Sequence, residues 1–486
     1  MNLQYKNILK ATTLFGGVQG LNIVLNLVRT KFVAELLGAE GIGLNSIYNE
    51  TRELIHSTSN LGLDVSGVRG VSAAYEKWTE AGSDEERQTC RRNISIQVAV
   101  LRSWVLLLAL VGILACMVFA APLSYFTFGD YDHTWGFVML SPAVGFSTVT
   151  CGELAVLKGL RKLRSLATVS TLNVVTGIAV TIPMYYFWRI DGVLPAILAF
   201  CLAAMIQTVA FGNEAERFRL VFTKTELRKG HKALSVGFNF VMCSIIGHAA
   251  LLCIQAYLNN HASLKTVGFY NAGYTLTMTY VGLVLAAMET DYFPRLSGVI
   301  QNIKERTDIL LKQQDVTIIL VTPMLAAMIV ALPLVAPLLL SAKFACIVPM
   351  AQVATIGMLF RAIYLPNAYM SLAAGDNKTF LLINTFGAVD SMLVLAGYET
   401  YGLFGTGVAL TVQNLMDMIL VMCISRWKYG VGFSARRIAD IVIYTLFLSV
   451  IYITCLCTEG WLYWVCGTSM TLLCSAYSIL KFRQGK

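Results

Sequence analysis

Ionisable side chains set inside long apolar runs are the residues of this chain best placed to do chemistry. Arg29 ends a line of Thr12, Gly16, Gln19, Asn22 and Asn26, whose steps of three and four put them on one helical face. Asn45, Asn49, Arg52, His56 and Ser59 make a second line, and Ser46, Glu50, Glu53, Ser57 and Asp64 widen it. An arginine at the centre of a bilayer costs from about 2.5 to more than 10 kcal/mol. These stripes are therefore expected to face a bundle interior or a water-filled cavity the height of the membrane. His248, Arg361, Asp390 and Asp417 also lie near the middle of apolar runs. The chemistry on offer is the binding of polar or charged groups and the exchange of ions. No Ser/His/Asp constellation, H-E-x-x-H, P-loop or G-x-G-x-x-G in a strand–helix context occurs, so an ATP-driven mechanism has no support.

Each group has a plainer role to weigh against a functional one. Arg29 continues the Gln19–Asn22–Asn26 line, which favours a cavity wall, whereas Lys31, about two residues off that line, fits snorkelling to the interface. Arg52 has Glu50, Glu53 and His56 near enough to neutralise it, which does not exclude a binding role. Arg102, about two turns inside its span, is expected to snorkel. Arg361 aligns with Gly357, Tyr364 and Ser371. His248, with Ser244 and Gln255 near its face, is either a packed hydrogen-bonding group or a proton carrier. Asp390 and Asp417 can pair with each other, pair with Arg361, or hold a coupling ion. Glu289 and Asp291 close a span beside Arg295 and read as a gate or a surface pair.

The elements that must position these groups are membrane helices. Of 486 residues, 56% are hydrophobic and 13% charged, against about 25% charged in a soluble domain; the mean hydropathy is +0.65. A crossing helix needs about 20 mostly apolar residues. Runs of that length predict an all-α polytopic membrane protein with about fourteen spans: 12–36, 43–66, 94–119, 136–157, 166–187, 192–212, 233–258, 267–290, 315–340, 346–371, 380–398, 403–425, 438–457 and 461–480. The opening MNLQYKNILKATTLFGG reads as the start of the first helix and not as a signal peptide. Twelve scattered cysteines carry no metal-ligand spacing, and neither a disulfide nor a metal site is expected.

Charge orients the spans. Of 37 Lys and Arg, 29 fall in loops on one side, 3 on the other (Arg189, Lys265, Lys343) and 5 inside spans. The positive-inside rule then puts both termini in the cytoplasm. The net charge of +9 reflects loops anchored to anionic headgroups. With no basic face carrying interleaved aromatics, no nucleic-acid partner is expected.

The chain also repeats itself. EGIGLNSIY (40–48) parallels KTVGFYNAGY (265–274), APL recurs at 121–123 and 336–338, and DGVLPA (191–196) parallels GTGVALT (405–411). The near-constant offset predicts two six-helix lobes, 1–215 and 216–430, with 431–486 as two appended helices.

The stretch LFGGVQGLNIVLNLVRTKFVAELLGAEGIGLNSIY resembles the opening of the polysaccharide-type flippases, the O-antigen and lipid III translocases known as Wzx, in the multidrug/oligosaccharidyl-lipid/polysaccharide exporter superfamily. The similarity is densest over about the first seventy residues. It implies two lobes in a V around a cationic cavity, alternating access, and residence in the bacterial inner membrane. The implied substrate is undecaprenyl-pyrophosphate-linked oligosaccharide, moved from the cytoplasmic to the periplasmic leaflet, with a polysaccharide polymerase as an associated partner. Arg29 and Arg52 match cavity arginines in the first two helices of the related lipid II flippases. Those flippases also have an arginine in the eighth helix, where 267–290 holds no Lys or Arg. Arg361 is the available substitute. The implied substrate-binding set is Arg29, Arg52, Arg361, Asn22, Asn26, Asn49 and His56. Ion coupling would fall to Glu50, Glu53, His248, Asp390 or Asp417. No cofactor is implied; the driving force is the membrane potential, H+ or Na+.

Two other functions compete. A multidrug cation antiporter of the same superfamily needs acidic groups as the dominant cavity charge, which Arg29, Arg52 and Arg361 disfavour. A membrane glycan polymerase or ligase needs a sizeable external loop, and the longest here, about 120–135 with Asp130, Asp132 and His133, is short. The chain is therefore expected not to be an enzyme.

Overall fold

The computed structural model of the chain describes residues 3–221, 238–432 and 435–484. Every regular element among them is helical. The spans expected from the sequence fall on helices, except that 43–66 crosses a turn at Leu61–Gly62 and 380–398 one at Ser391–Met392, and that 233–237 lie outside the described residues. Among the described residues nine stretches are long and apolar enough to cross a membrane; two of these, Leu163–Ala215 and Asn377–Tyr429, are interrupted and hold two helices each. The chain is a multi-pass membrane protein. It packs as two compact units, Met1–Leu264 and Lys265–Lys486.

The first unit opens with α1 (Leu3–Asn60), which carries both polar stripes and is broken at Gly38 (φ 65°, ψ −169°). That conformation is open essentially to glycine alone, so the break between the expected spans 12–36 and 43–66 is dictated by one residue. α2 (Leu63–Glu80) is amphipathic and lays Leu63 and Val71 on a core of Ile94, Val98, Leu101 and Val156. A capping box at Ser83 and Glu86 starts α3 (Asp84–Val118). There follow α4 (Ala120–Phe128), α5 (Thr134–Gly159), α6 (Leu163–Trp188), a 3-10 turn at Arg189–Gly192, α7 (Val193–Ala215) and α8 (Phe238–His261). Tyr125, Tyr131, Trp135, Tyr186, Phe187 and Trp188 are exposed at the ends opposite the basic loops, as in the aromatic belts of membrane interfaces.

The helix α8 is the seventh span, and the sequence repeat assigns it to the second lobe. In the structure it packs with the first unit, so the packing boundary falls after residue 264 instead of residue 215. Polar contacts explain the docking. Gln255 donates to Ser46 Oγ (2.8 Å), His248 pairs with Glu50 (2.9 Å), and Asn259 and Asn260 each donate to an α4 carbonyl at 3.0 Å.

In the second unit, α9 (Leu264–Tyr274) runs through a π-helical turn at Thr275–Thr279 into α10 (Tyr280–Gly298). α11 (Ile303–Leu339), α12 (Val348–Ala373), α13 (Asn377–Asp390) and α14 (Leu393–Tyr429, broken at Tyr401–Gly402) form its body. Pro366 interrupts the α12 ladder. Tyr292 donates to Pro366 O, and Gln314 and Asn367 donate to Ile363 O, satisfying carbonyls around the break. The appended helices α15 (Ala435–Cys457) and α16 (Gly460–Gln484) join the same unit. Arg437 donates to both Asp315 oxygens (3.2 and 3.1 Å), and the Tyr463 hydroxyl donates to Val330 O (2.9 Å).

Candidate functional site

The second arm of α1 divides its polar residues between two neighbours. One row, Ser46 and Glu50, meets Gln255 and His248 of α8. The other, Arg52, His56 and Asn60, meets Ser147, Thr148 and Cys151 of α5 at successive turns. Much of the stripe expected to line a cavity therefore joins helices together. Arg52 Nη1 donates to Ser147 Oγ (2.5 Å), and Nη2 donates to Glu53 Oε1 (2.6 Å) and weakly to Asn49 Oδ1 (3.4 Å). Its Nε–H has no partner among the described residues. The neutralisation of Arg52 left open by the sequence is thus made by Glu53, while Glu50 is taken by His248. His56 Nδ1 and Thr148 Oγ1 share a hydrogen bond of 3.0 Å, and Thr148 Oγ1 also lies 3.0 Å from Val144 O. Asn49 donates back to Asn45 of its own helix.

Arg29 is held differently. Its guanidinium lies 5.3 Å from the ring centroid of Phe200 on α7, and Gly177 of α6 lies beside it, where an added Cβ would sit 3.5 Å from Nη1. Among the described residues no carboxylate pairs with it. An arginine seated on an aromatic face keeps its N–H groups for a ligand. Cys201, next to Phe200, lies within electrostatic reach of both Arg29 and Arg52 and accepts from Ser147 Oγ at 3.9 Å. The two arginines therefore converge on one stretch of α7. Asn22, on the Arg29 line, is buried and donates to Ser170 Oγ (3.0 Å), whereas Asn26 is exposed. Lys31 pairs with Glu35 at 3.1 Å near the Gly38 break, as expected for an interfacial pair.

The second unit gathers its own charged cluster. Asp390 on α13 and Asp417 on α14 are buried, at 7% and 5% exposure. Neither Asp390 oxygen meets a hydrogen-bond partner of good geometry among the described residues, although the Ser391 amide is near. Asp417 lies close to the Tyr364 hydroxyl and in the field of Arg361, both on α12. Its carboxylate rests against Gly387, one turn before Asp390. Arg361 reaches Met278 Sδ (4.0 Å) in the π-helical turn. Asp390 and Asp417 are thus neighbours, and Arg361 stands beside Asp417. Gly357 and Ser371, aligned with Arg361 in sequence, serve packing: Gly357 abuts the Thr411 backbone, and Ser371 is fully buried. Asp291 pairs with Arg295 at 2.6 Å on an exposed surface.

Arg102 corrects an expectation. It does not snorkel; both it and Glu153 of α5 are 2% exposed and form a two-bond ion pair at 2.6 and 2.8 Å. Its Nη1 donates to the carbonyls of Glu216 and Arg217, and Phe218 covers its face at 4.9 Å. Ser103 accepts from Val221 N and Ser95 donates to Glu216, so residues 216–221 are sewn onto α3. The signal available in the sequence was Glu153, an acid inside the span 136–157.

This helical membrane bundle, with cations set among its helices, shares its fold with solved membrane proteins. The lipid II flippase MurJ in an inward closed conformation superposes with a TM-score of 0.71 over 97% of this chain and 99% of that one, at 15% identity. An inward-facing multidrug resistance MATE family transporter of the MOP superfamily gives 0.67 over 84% and 94%, at 12% identity. A MOP superfamily transporter from Pyrococcus furiosus, described as having a binding pocket of reverse polarity, gives 0.58 over 86% and 94%, also at 12%. The fold is that of this superfamily. Residues 8–299 match the family described as polysaccharide biosynthesis protein, and the chain belongs to that family. No curated protein sequence matches it.

Proposed function

We propose that the chain is a flippase that carries undecaprenyl-pyrophosphate-linked oligosaccharide repeat units, of the O-antigen type, from the cytoplasmic to the periplasmic leaflet by alternating access. It would lie in the bacterial inner membrane with both termini cytoplasmic and deliver its cargo to a polysaccharide polymerase. The observation that carries this reading is Arg29, a guanidinium seated on Phe200 inside an apolar bundle with no carboxylate partner among the described residues, in a member of a polysaccharide biosynthesis family. A planar guanidinium in a partly dehydrated site suits pyrophosphate oxygens. Arg52 would add to the clamp within the first unit, and Arg361 would offer a cationic group of the second; Asn26 would be open to sugar hydroxyls, and Asn22, Asn49 and His56 would turn to them only by leaving their present partners. An inside-negative potential favours outward movement of an anion by about 2.3 kcal/mol per charge per 100 mV, so voltage is one drive. Proton or Na+ exchange at the buried Asp390–Asp417 pair, at Glu50–His248 or at Glu53 is the other.

In cells, Arg29→Ala and Arg52→Ala should each leave lipid-linked repeat units on the cytoplasmic leaflet; normal export in the double variant would refute the assignment. The buried carboxylate pair also fits a cation antiporter. Drug efflux that is lost in Asp390→Asn and Asp417→Asn, with lipid export intact, would favour that reading.

A further inference from the structure

The two arginines that converge on α7 differ in one respect: Arg52 already holds an anion and Arg29 does not. From this difference we infer that Glu53 is a resident counter-anion for Arg52, which the substrate's phosphate displaces after first contact at Arg29. The inference rests on the anionic-headgroup reading above. Glu53 is the more exposed partner, with its side chain 35% accessible against 14% for Arg52, and its bond to Arg52 Nη2 is the only hydrogen bond it makes among the described residues. Adjacent residues on a helix do not face each other. Glu53 accordingly reaches the fork with one oxygen and leaves Nε–H without a partner. A phosphate can engage Nε and Nη2 together, the bidentate match a guanidinium is built for. Ser147 holds Nη1 through a neutral hydroxyl and need not move, so the guanidinium stays aimed while its anion is exchanged.

Such an exchange gives the site a way to let go. With Arg29 and Arg52 both open, a pyrophosphate would be bound by two uncompensated guanidiniums, and tight binding to an intermediate slows turnover. A carboxylate that returns to Arg52 competes with the headgroup at each cycle and drives its release. Glu53 is then a positioning residue that tunes affinity against rate.

The test uses the full chain in detergent with farnesyl pyrophosphate as probe and farnesol as the uncharged control. Glu53→Gln preserves shape and removes the charge, and should bind the pyrophosphate about tenfold more tightly, as expected for releasing a half-buried charge pair. Farnesol binding should not change. In an Arg52→Ala background the same substitution should have no effect, because Glu53 acts through Arg52. In proteoliposomes carrying polyprenyl-pyrophosphate cargo, Glu53→Gln should lower both the apparent KM and the maximal flux, a split that mere structural damage does not produce. Unchanged or weaker binding by Glu53→Gln overturns the inference, and so does an equal gain in the Arg52→Ala background. If Arg29→Ala and Arg52→Ala bind the probe as tightly as wild type, it is the headgroup reading itself that fails.

Discussion

Removing Glu153 should cost the first unit far more than removing a surface acid. Arg102 and Glu153 are both 2% exposed, so truncating one leaves the other charged and desolvated. Breaking a buried pair in this way costs about 3–5 kcal/mol. A ready control lies in the same unit: Arg161–Glu76 is as short, at 2.5 Å, but its side chains are 59% and 55% exposed. A pair of that kind contributes about 0–1 kcal/mol. At roughly 2–4 °C per kcal/mol, Glu153→Ala should lower the melting temperature of the detergent-solubilised chain by on the order of 10 °C, and Glu76→Ala by about 4 °C or less. Replacing both partners with apolar groups, Arg102→Met with Glu153→Leu, should recover part of the loss. Recovery stays incomplete because the Glu216 and Arg217 carbonyls lose their donor, and residues 216–221 should become open to proteolysis. Gly212→Ala is an independent route to the same defect, since a Cβ there collides with the Glu153 carboxylate. Equal melting of Glu153→Ala and Glu76→Ala would refute the reasoning.

Three further outcomes follow from the same structure. Gly38→Ala should destabilise by about 1–3 kcal/mol although nothing lies within 4 Å of the added methyl, because the backbone conformation alone is strained; a melt within 0.5 kcal/mol of wild type would contradict this. Asp376 caps α13, and burial alone would raise its pKa, but bonds from Lys428, Thr379 and Tyr429 together hold it well below the usual carboxylate range. A depressed folded-state pKa contributes stability above the unfolded value near 3.9, lost as pH falls through the folded value. Wild type should therefore melt above Asp376→Asn at pH 7, with the gap narrowing progressively below about pH 4; a gap independent of pH would show that the charge is not its source. If Asp390 and Asp417 exchange an ion, Asp390→Asn should abolish the dependence of proteoliposome flux on an imposed H+ or Na+ gradient while leaving any response to voltage.

The spans were legible because lipid imposes one rule on every residue of a crossing: apolar runs of about 20 residues have to be helices. Gly38 was legible because a glycine between two such runs marks where the backbone must leave the helix. Contacts between helices were less so. Periodicity places Ser46, Glu50, Arg52 and His56 on one broad face, yet it carries no information on which helices pack there. Two different helices, α8 and α5, turn out to share that face. The repeat likewise assigned Phe238–His261 by descent, whereas its Gln255, His248, Asn259 and Asn260 decide its packing by bonding to the first unit.

The intramembrane arginines show why residue type and depth are insufficient. Arg29, Arg52 and Arg102 all interrupt apolar runs of the first unit, and the same desolvation cost applies to each. What separates them is the anion each one meets. Glu153 matches both prongs of Arg102 from another helix, and two carbonyls complete the shell; that arginine is spent on structure. Glu53 matches only one prong of Arg52 and remains partly exposed, so that site is occupied but exchangeable. Arg29 has an aromatic face and, among the described residues, no carboxylate partner. The order Arg102, Arg52, Arg29 is therefore an order of increasing availability to an external anion. A functional arginine in a membrane bundle is recognised by the incompleteness of its counter-charge, a property of helix pairing and not of its position along the chain.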